Sequence, residues 1–259
     1  MQMSTDDPVK VEIEGAIETI RLDRPDFMNA MTGDMFEAVA DALVLGEGDG
    51  KVRAFVIAGM PGAFTEGSDI SELEEYAETG AVTPTVMRFM KTLATLDKPL
   101  IAAVDGPALG IGTTMLFMCD FVVASEWSQF GVDHVQTGLP LDAASTLLGP
   151  RLIGHHAAFE LLVMGNLIDA ARAKEIGLVN RIVAAEAVED VARAAAQQIA
   201  DRPPEAVRLA KRMMVGDRRD VVTRITSEAS SFTALQRSPH ASAALRERLR
   251  RNDSEAPDR

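Results

Sequence analysis

The chain has 259 residues, 47% apolar and 25% charged, a composition able to bury a core and far from the low-hydrophobicity, high-charge profile of disorder. Its 26 Lys and Arg against 39 Asp and Glu leave a net charge of −13, which repels nucleic-acid phosphates and anionic lipid surfaces, so neither is expected as a main partner. The apolar stretch 106–119 is too short and too glycine-rich to span a bilayer, no secretory leader is read in 1–8, and the lone Cys119 cannot close an internal disulfide; a soluble, cytoplasmic protein is expected.

In chain order, Val9, Val11 and Ile13 alternate with charged residues, and Ile20 and Leu22 resume the pattern after Glu14-Gly15, which predicts a hairpin with one buried face. Thr32 caps a predicted helix in which Met35, Phe36, Val39, Ala40, Leu43 and Val44 recur at three- and four-residue spacing. Residues 52–58, 99–104 and 121–124 read as short buried strands, with a helix bearing Met87, Met90, Leu93 and Ala94 between the first two. Short buried strands alternating with helices argue for an α/β core. Beyond about His155 strand signals nearly vanish, apart from 179–183, and the remainder reads as helices broken at Gly165-Asn166, Pro203-Pro204 and Pro239. This divides the chain into a core over residues 9–200, a helical region over 201–251 and a disordered tail over 252–259.

Two glycine-bearing turns, 63–70 and 105–112, each follow a buried strand and lead into a predicted helix. Such turns let a ligand approach the backbone, and a helix N-terminus offers unpaired N–H groups and a dipole that favours negative charge. A dinucleotide site fails at Gly110-Ile111-Gly112 because Met115 holds the third glycine position, and no Walker Gly-Lys-Ser/Thr occurs. Ser68 lies outside any Gly-x-Ser-x-Gly elbow, which argues against a serine hydrolase.

Taken in order, Leu22-Asp23-Arg24-Pro25 with Asn29-Ala30-Met31, the turn from Ala63 through Phe64, Gly67 and Ser68 to Ile70, the segment from Lys98-Pro99 to Gly112, Phe130-Gly131, and Gly138 to Asp142 with Pro150-Arg151-Leu152-Ile153-Gly154 resemble the crotonase, or enoyl-CoA hydratase/isomerase, superfamily. The resemblance implies a spiral of strand-strand-helix units whose C-terminal helices pack a homotrimer or a dimer of trimers. It implies an acyl-CoA substrate, with coenzyme A entering as part of that substrate and no other cofactor or metal. The thioester oxygen would face two backbone N–H donors, Ser68 and Ile111, in turns shaped by Gly67 and Gly110. Arg24, Asn29 and Ala30 would form the nucleotide-side wall, with Phe64, Asp69, Ile70 and Thr114 among the substrate-side residues and Asp69 serving as an acceptor within its turn.

The departures bear on chemistry. Hydratases of the family carry glutamates where this chain has Thr114 and His134, and adding water across a double bond suits two such groups. Asp142 stands where some isomerase branches carry a functional aspartate, and moving a double bond needs only one base, so Asp142 and His134 are both candidates. The expected activity is double-bond isomerisation of an enoyl-CoA, with enoyl hydration as the alternative and a catalytically silent acyl-CoA-binding or assembly subunit as the third reading. Arg248 occupies the place of an aromatic residue that the family offers to a neighbouring subunit's CoA.

Overall fold

A computed structural model describes residues 7–79 and 81–236, together with 243, 246 and 247; Arg248 and the tail over 252–259 lie outside the described residues. The chain opens with the hairpin, β1 (Val9–Glu14) antiparallel to β2 (Ile17–Leu22) in the register Val9↔Leu22 to Glu14↔Ile17. The expectation of one buried face is only partly met. β1 is an edge strand with Ile13 exposed, whereas β2 lies inside the sheet and buries both faces, Glu18 and Thr19 included.

From β2 the main sheet continues in parallel through β3 (Ala54–Ala58), β4 (Leu100–Val104), β6 (Phe121–Ser125) and β9 (Arg181–Val183), in the order β1-β2-β3-β4-β6-β9. Period-two alternation divides these strands between two cores. Phe55, Ile57, Leu100, Ala102, Val104 and Ala124 join the larger core with α1 (Gly33–Gly48) and α3 (Pro84–Thr95). Ala54, Val56, Ile101, Ala103 and Val123 face Val188, Ala192 and Ala196 of α8 (Val188–Ala200). Burial on both faces is why the strands read as continuous apolar runs.

α1 begins at Thr32, whose hydroxyl accepts the Met35 N–H at 3.4 Å. Its expected stripe is buried from Met35 to Leu43, but Val44 is exposed. Every fourth residue advances about 40° around a helix, so the row from Phe36 through Ala40 has rotated off the buried face by Val44.

A second, smaller sheet of β5 (Pro107–Leu109), β7 (Gln129–Gly131) and β8 (Ile168–Asp169) stands beside the first. β8 has two residues and no period to read. The first glycine turn leads into α2 (Ile70–Thr79) as expected, but the second leads only into the four-residue α4 (Ile111–Thr114), which tightens into a 3-10 turn over Met115–Met118. α5 (Ser145–Ile153), α6 (His155–Leu162) and α7 (Ala170–Glu175) follow, then α9 (Pro204–Val215) and α10 (Arg218–Gln236). α10 returns across α3 and α5, and its Val221 and Ile225 join the larger core. Among the described residues no helix is long and apolar enough to cross a membrane, and no group of three or more His, Cys, Asp or Glu could hold a metal.

Candidate active site

The two glycine turns lie side by side because strand-like bonds join them. Thr65 pairs with Ala108, its N–H donating to Pro107 O and its carbonyl accepting from Leu109 N, both at 3.0 Å. Farther along the first turn Ser68 bridges Met31, through Met31 N to Gly67 O at 2.7 Å and Asp69 N to Met31 O at 2.9 Å. In that pattern the flanking residues make the bonds and the bridging residue's own N–H points the other way. In the second turn Gly110, at φ 53° and ψ −122°, donates to Gly131 O at 2.9 Å and hands the chain to Ile111, the first residue of α4. A first-turn N–H has no partner within its helix. Among the described residues, neither the Ser68 nor the Ile111 N–H donates to a protein acceptor.

Glycine is required where the turns meet. A Cβ on Gly67 would stand 2.8 Å from Leu109 O, and one on Gly110 would stand 3.9 Å from Gly67 Cα and 3.7 Å from His134 Cε1. The imidazole of His134 therefore lies against the second turn.

Behind that ring sits Asp142. His134 Nε2 is 3.3 Å from Asp142 Oδ2, while Thr114 Oγ1, from the end of α4, donates to Asp142 Oδ1 at 2.8 Å. The side chains of His134 and Asp142 are 12% and 11% exposed, so water screens the pair weakly. Burial pushes the Asp142 carboxyl up, but the charge and hydrogen bond of His134 and the Thr114 hydroxyl outweigh it and hold the group below the usual carboxylate range.

Asp142 also begins a tight turn. Its carbonyl accepts the Ser145 N–H at 2.8 Å, and the two central residues, Ala143 and Ala144, have φ of 53° and 56°. Turns with two left-handed centres favour Asn-Gly or Gly-Gly, and a left-handed alanine costs about 1–2 kcal/mol. The turn is gripped from outside by Glu228 of α10, whose Oε2 accepts Ala144 N at 2.7 Å and whose Oε1 accepts Thr146 N at 3.1 Å and Thr146 Oγ1 at 2.5 Å. Burial pushes the Glu228 carboxyl up to about 6, with the Thr146 bonds working against the rise and the charge of Asp142 adding to it.

The structure thus gathers Gly67, Ser68, Gly110, Ile111, Thr114, His134 and Asp142. Arg24, Asn29, Ala30 and Asp69 form a different unit, a knot that braces the first turn. Asn29 is fully buried; its amide donates to Ala63 O at 2.7 Å and Phe64 O at 3.1 Å, and its Oδ1 accepts Arg24 N at 2.7 Å. The expectation that Asn29 lines a ligand wall is corrected accordingly, since every polar atom of the amide is spent within the chain. Phe64, expected as a lining residue, is likewise fully buried in the larger core. Arg24 donates to Asp69 Oδ2 at 2.6 Å and Ala30 O at 2.8 Å and stacks on Phe27. Asp69 in turn accepts the Ser71 N–H and hydroxyl, the expected acceptor role, and Ile70 opens α2. Burial raises the Asp69 carboxyl, but Arg24 and Ser71 together hold it below its ordinary value.

Sequence reasoning missed Glu228, Thr146 and Arg224, whose Nη1 donates to Thr146 Oγ1 at 3.0 Å. A signal was present: Val221, Ile225, Glu228 and Phe232 recur at helical spacing and all are buried. A carboxylate within an apolar stripe marks a buried acceptor.

Comparison with known proteins agrees with this architecture. A putative enoyl-CoA hydratase of Thermus thermophilus is 34% identical over 212 residues, 80% of this chain and 83% of the relative. The mitochondrial enoyl-CoA hydratase of Pongo abelii is 32% identical over 74% of this chain and 66% of its own length. Among solved structures, Pseudomonas aeruginosa OdaA superposes with a TM-score of 0.87 at 35% identity, covering 93% of this chain and 98% of that one. An enoyl-CoA hydratase/isomerase from Pseudoalteromonas atlantica T6c gives 0.88 at 28% identity, covering 98% of this chain and all of that one. The sequence model described as enoyl-CoA hydratase/isomerase matches residues 12–251, nearly the whole length over which the two sheets and their helices run, and the chain belongs to that family, the crotonase superfamily.

Proposed function

We propose that the protein binds an enoyl-CoA and moves its double bond, with the His134–Asp142 pair as its single proton carrier. The observation that carries this reading is the array from Thr114 through Asp142 to His134, set against the turn that presents the Ile111 N–H. The thioester oxygen would accept from the Ser68 and Ile111 N–H groups, which strengthen their hold as an enolate forms; each such donor is worth about 3–4 kcal/mol in the transition state. His134 would take the proton from the carbon beside the thioester carbonyl and return it two carbons farther along, so no atom is gained or lost. Asp142, with one oxygen on Thr114 and the other toward the imidazole, is suited to orient the ring and balance its charge.

Hydration is the second reading, favoured by relatives whose names say enoyl-CoA hydratase. It asks for one group to direct water and another to handle the carbon-bound proton, and Thr114 cannot titrate near neutrality. Assay with a 3-enoyl-CoA and a 2-enoyl-CoA, following gain or loss of the conjugated thioester absorbance, separates the two. Turnover of the first substrate alone supports isomerisation; turnover of the second alone replaces it with hydration, and turnover of neither leaves a silent binder. The apolar side chains that α9 leaves exposed, Leu209, Met213 and Met214, offer a surface on which the trimer or dimer of trimers would close, which light scattering measures directly.

A further inference from the structure

We propose that Glu228 is a positioning residue: from α10 it grips the turn that begins at Asp142 and so sets the aim of the His134–Asp142 pair. The inference rests on the proton-carrier reading above and extends it to a residue that touches neither substrate nor the pair.

The argument starts from the turn's unsuitability to stand alone. Ala143 and Ala144 both occupy left-handed backbone, a conformation their own side chains disfavour. One backbone bond closes the turn, Ser145 N to Asp142 O, and the Ala144 carbonyl accepts Leu147 N and Leu148 N of α5, but none of these holds the N–H of Ala144 or Thr146. The N–H groups of Ala144 and Thr146 both point at one carboxylate, Glu228, which also accepts the Thr146 hydroxyl. Arg224, one helical turn earlier on α10, donates to that same hydroxyl. α10 is anchored by Val221 and Ile225 in the larger core, so the grip is referred to the body of the protein. A rotation of the turn about this anchor would swing Asp142 away from Thr114 and His134. Misplacement of a catalytic group by about 1 Å can cost roughly a hundredfold in rate.

Only an ionised carboxylate provides acceptors at both oxygens. A glutamine of the same shape presents an amide donor to one of the two N–H groups, while avoiding the buried charge that wild type carries, so the fold should survive the exchange.

The test is Glu228→Gln, with kcat, KM, melting temperature and the affinity of an unreactive acyl-CoA thioester all measured. The expected result is a fall in kcat of about tenfold to a hundredfold with KM, thioester affinity and melting temperature little changed. In the double variant with Asp142→Asn, Glu228→Gln should add almost nothing, because it acts through the residue already removed. If kcat stays within twofold of wild type while Asp142→Asn is impaired, or if the two losses multiply in full, the inference is overturned and the proton-carrier reading stands. If Asp142→Asn is itself fully active, the reading falls and the inference with it. Should Glu228→Gln fail to fold, Thr146→Val removes only the hydroxyl shared by Glu228 and Arg224. A several-fold loss of kcat that disappears in the Asp142→Asn background supports the proposal, and no loss overturns it.

Discussion

The turns that carry Ser68 and Ile111 are joined by backbone bonds to each other, to β7 and to Met31, with Asn29, Thr65 and Thr113 bracing them from the side, whereas the side chain of Asp142 and the turn after it are met by single side chains from α4, α10 and the loop of His134. Backbone bonds are indifferent to side-chain identity, so the proposed donor positions themselves, Ser68 and Ile111, tolerate substitution wherever φ and the N–H are kept. On the acid-base half each constraint is one named side chain, and losing that residue loses the constraint. On the proposed function, the contrast predicts that Ser68 and Ile111 are sensitive to loss of their N–H and not of their side chains, whereas His134 and Asp142 are sensitive to conservative exchange.

The largest effect is expected from Ile111→Pro, which deletes a donor N–H and should abolish turnover, at least about 10²–10³-fold. Ser68→Ala should stay within about tenfold, since its backbone N–H is retained. A dead Ser68→Ala enzyme that still binds CoA would break the comparison by giving the hydroxyl a chemical role. Next, His134→Gln and Asp142→Asn should each lower kcat by about 10²-fold or more while sparing thioester affinity. Wild-type activity should also decline on the acid side, since a protonated imidazole cannot accept the substrate's proton. An acid-independent kcat would remove His134 as the base.

Thr114→Val, which removes one neutral donor to Asp142 and keeps the volume, should cost about three- to thirtyfold in kcat. Equality with Asp142→Asn would place Thr114 in the chemistry itself. The smallest effect concerns stability against pH. The folded-state pKa of Asp142 is depressed, so its ionised form stabilises the fold above the unfolded carboxyl value, and that contribution is lost as pH falls through the folded pKa. Glu228 has the opposite sign: its raised value of about 6 means stability drops as pH rises from the unfolded value of 4.5 through that point. Melting curves of wild type and Asp142→Asn should therefore differ most near neutrality, by a few degrees, and converge in acid. A gap that widens in acid would reverse the assignment of the pair.

Much of this molecule was legible without coordinates, and the reason is locality. The central parallel strands β3, β4 and β6 declared themselves as apolar runs because they are covered on both faces, and α1 through its cap at Thr32 and the stripe from Met35 to Leu43. The glycine turns were legible because close approach of backbone to backbone leaves Gly67 no room for a side chain and the positive φ of Gly110 disfavours one, constraints written at single positions. What the residue order could not reveal depends on distant segments meeting. The family resemblance puts Asn29 in a nucleotide-side wall, and only the fold shows its amide closed on Ala63 and Phe64. β8 exists only because β7 pairs with it.

The same division runs through the site. The amino-acid sequence by itself offered two glycine turns and, through the family resemblance, Thr114 and His134 where a glutamate pair is expected, with Asp142 and His134 as candidate bases. Only the tertiary structure decided that the side chains of Asp142 and His134 meet, and that a glutamate 84 residues beyond Ala144 accepts the N–H of that residue. Composition and periodicity report what each residue can do. Where the N–H groups of the left-handed turn find their acceptor is settled only when α10 has packed across α5, because Glu228, which accepts Ala144 N and Thr146 N, is carried on that distant helix.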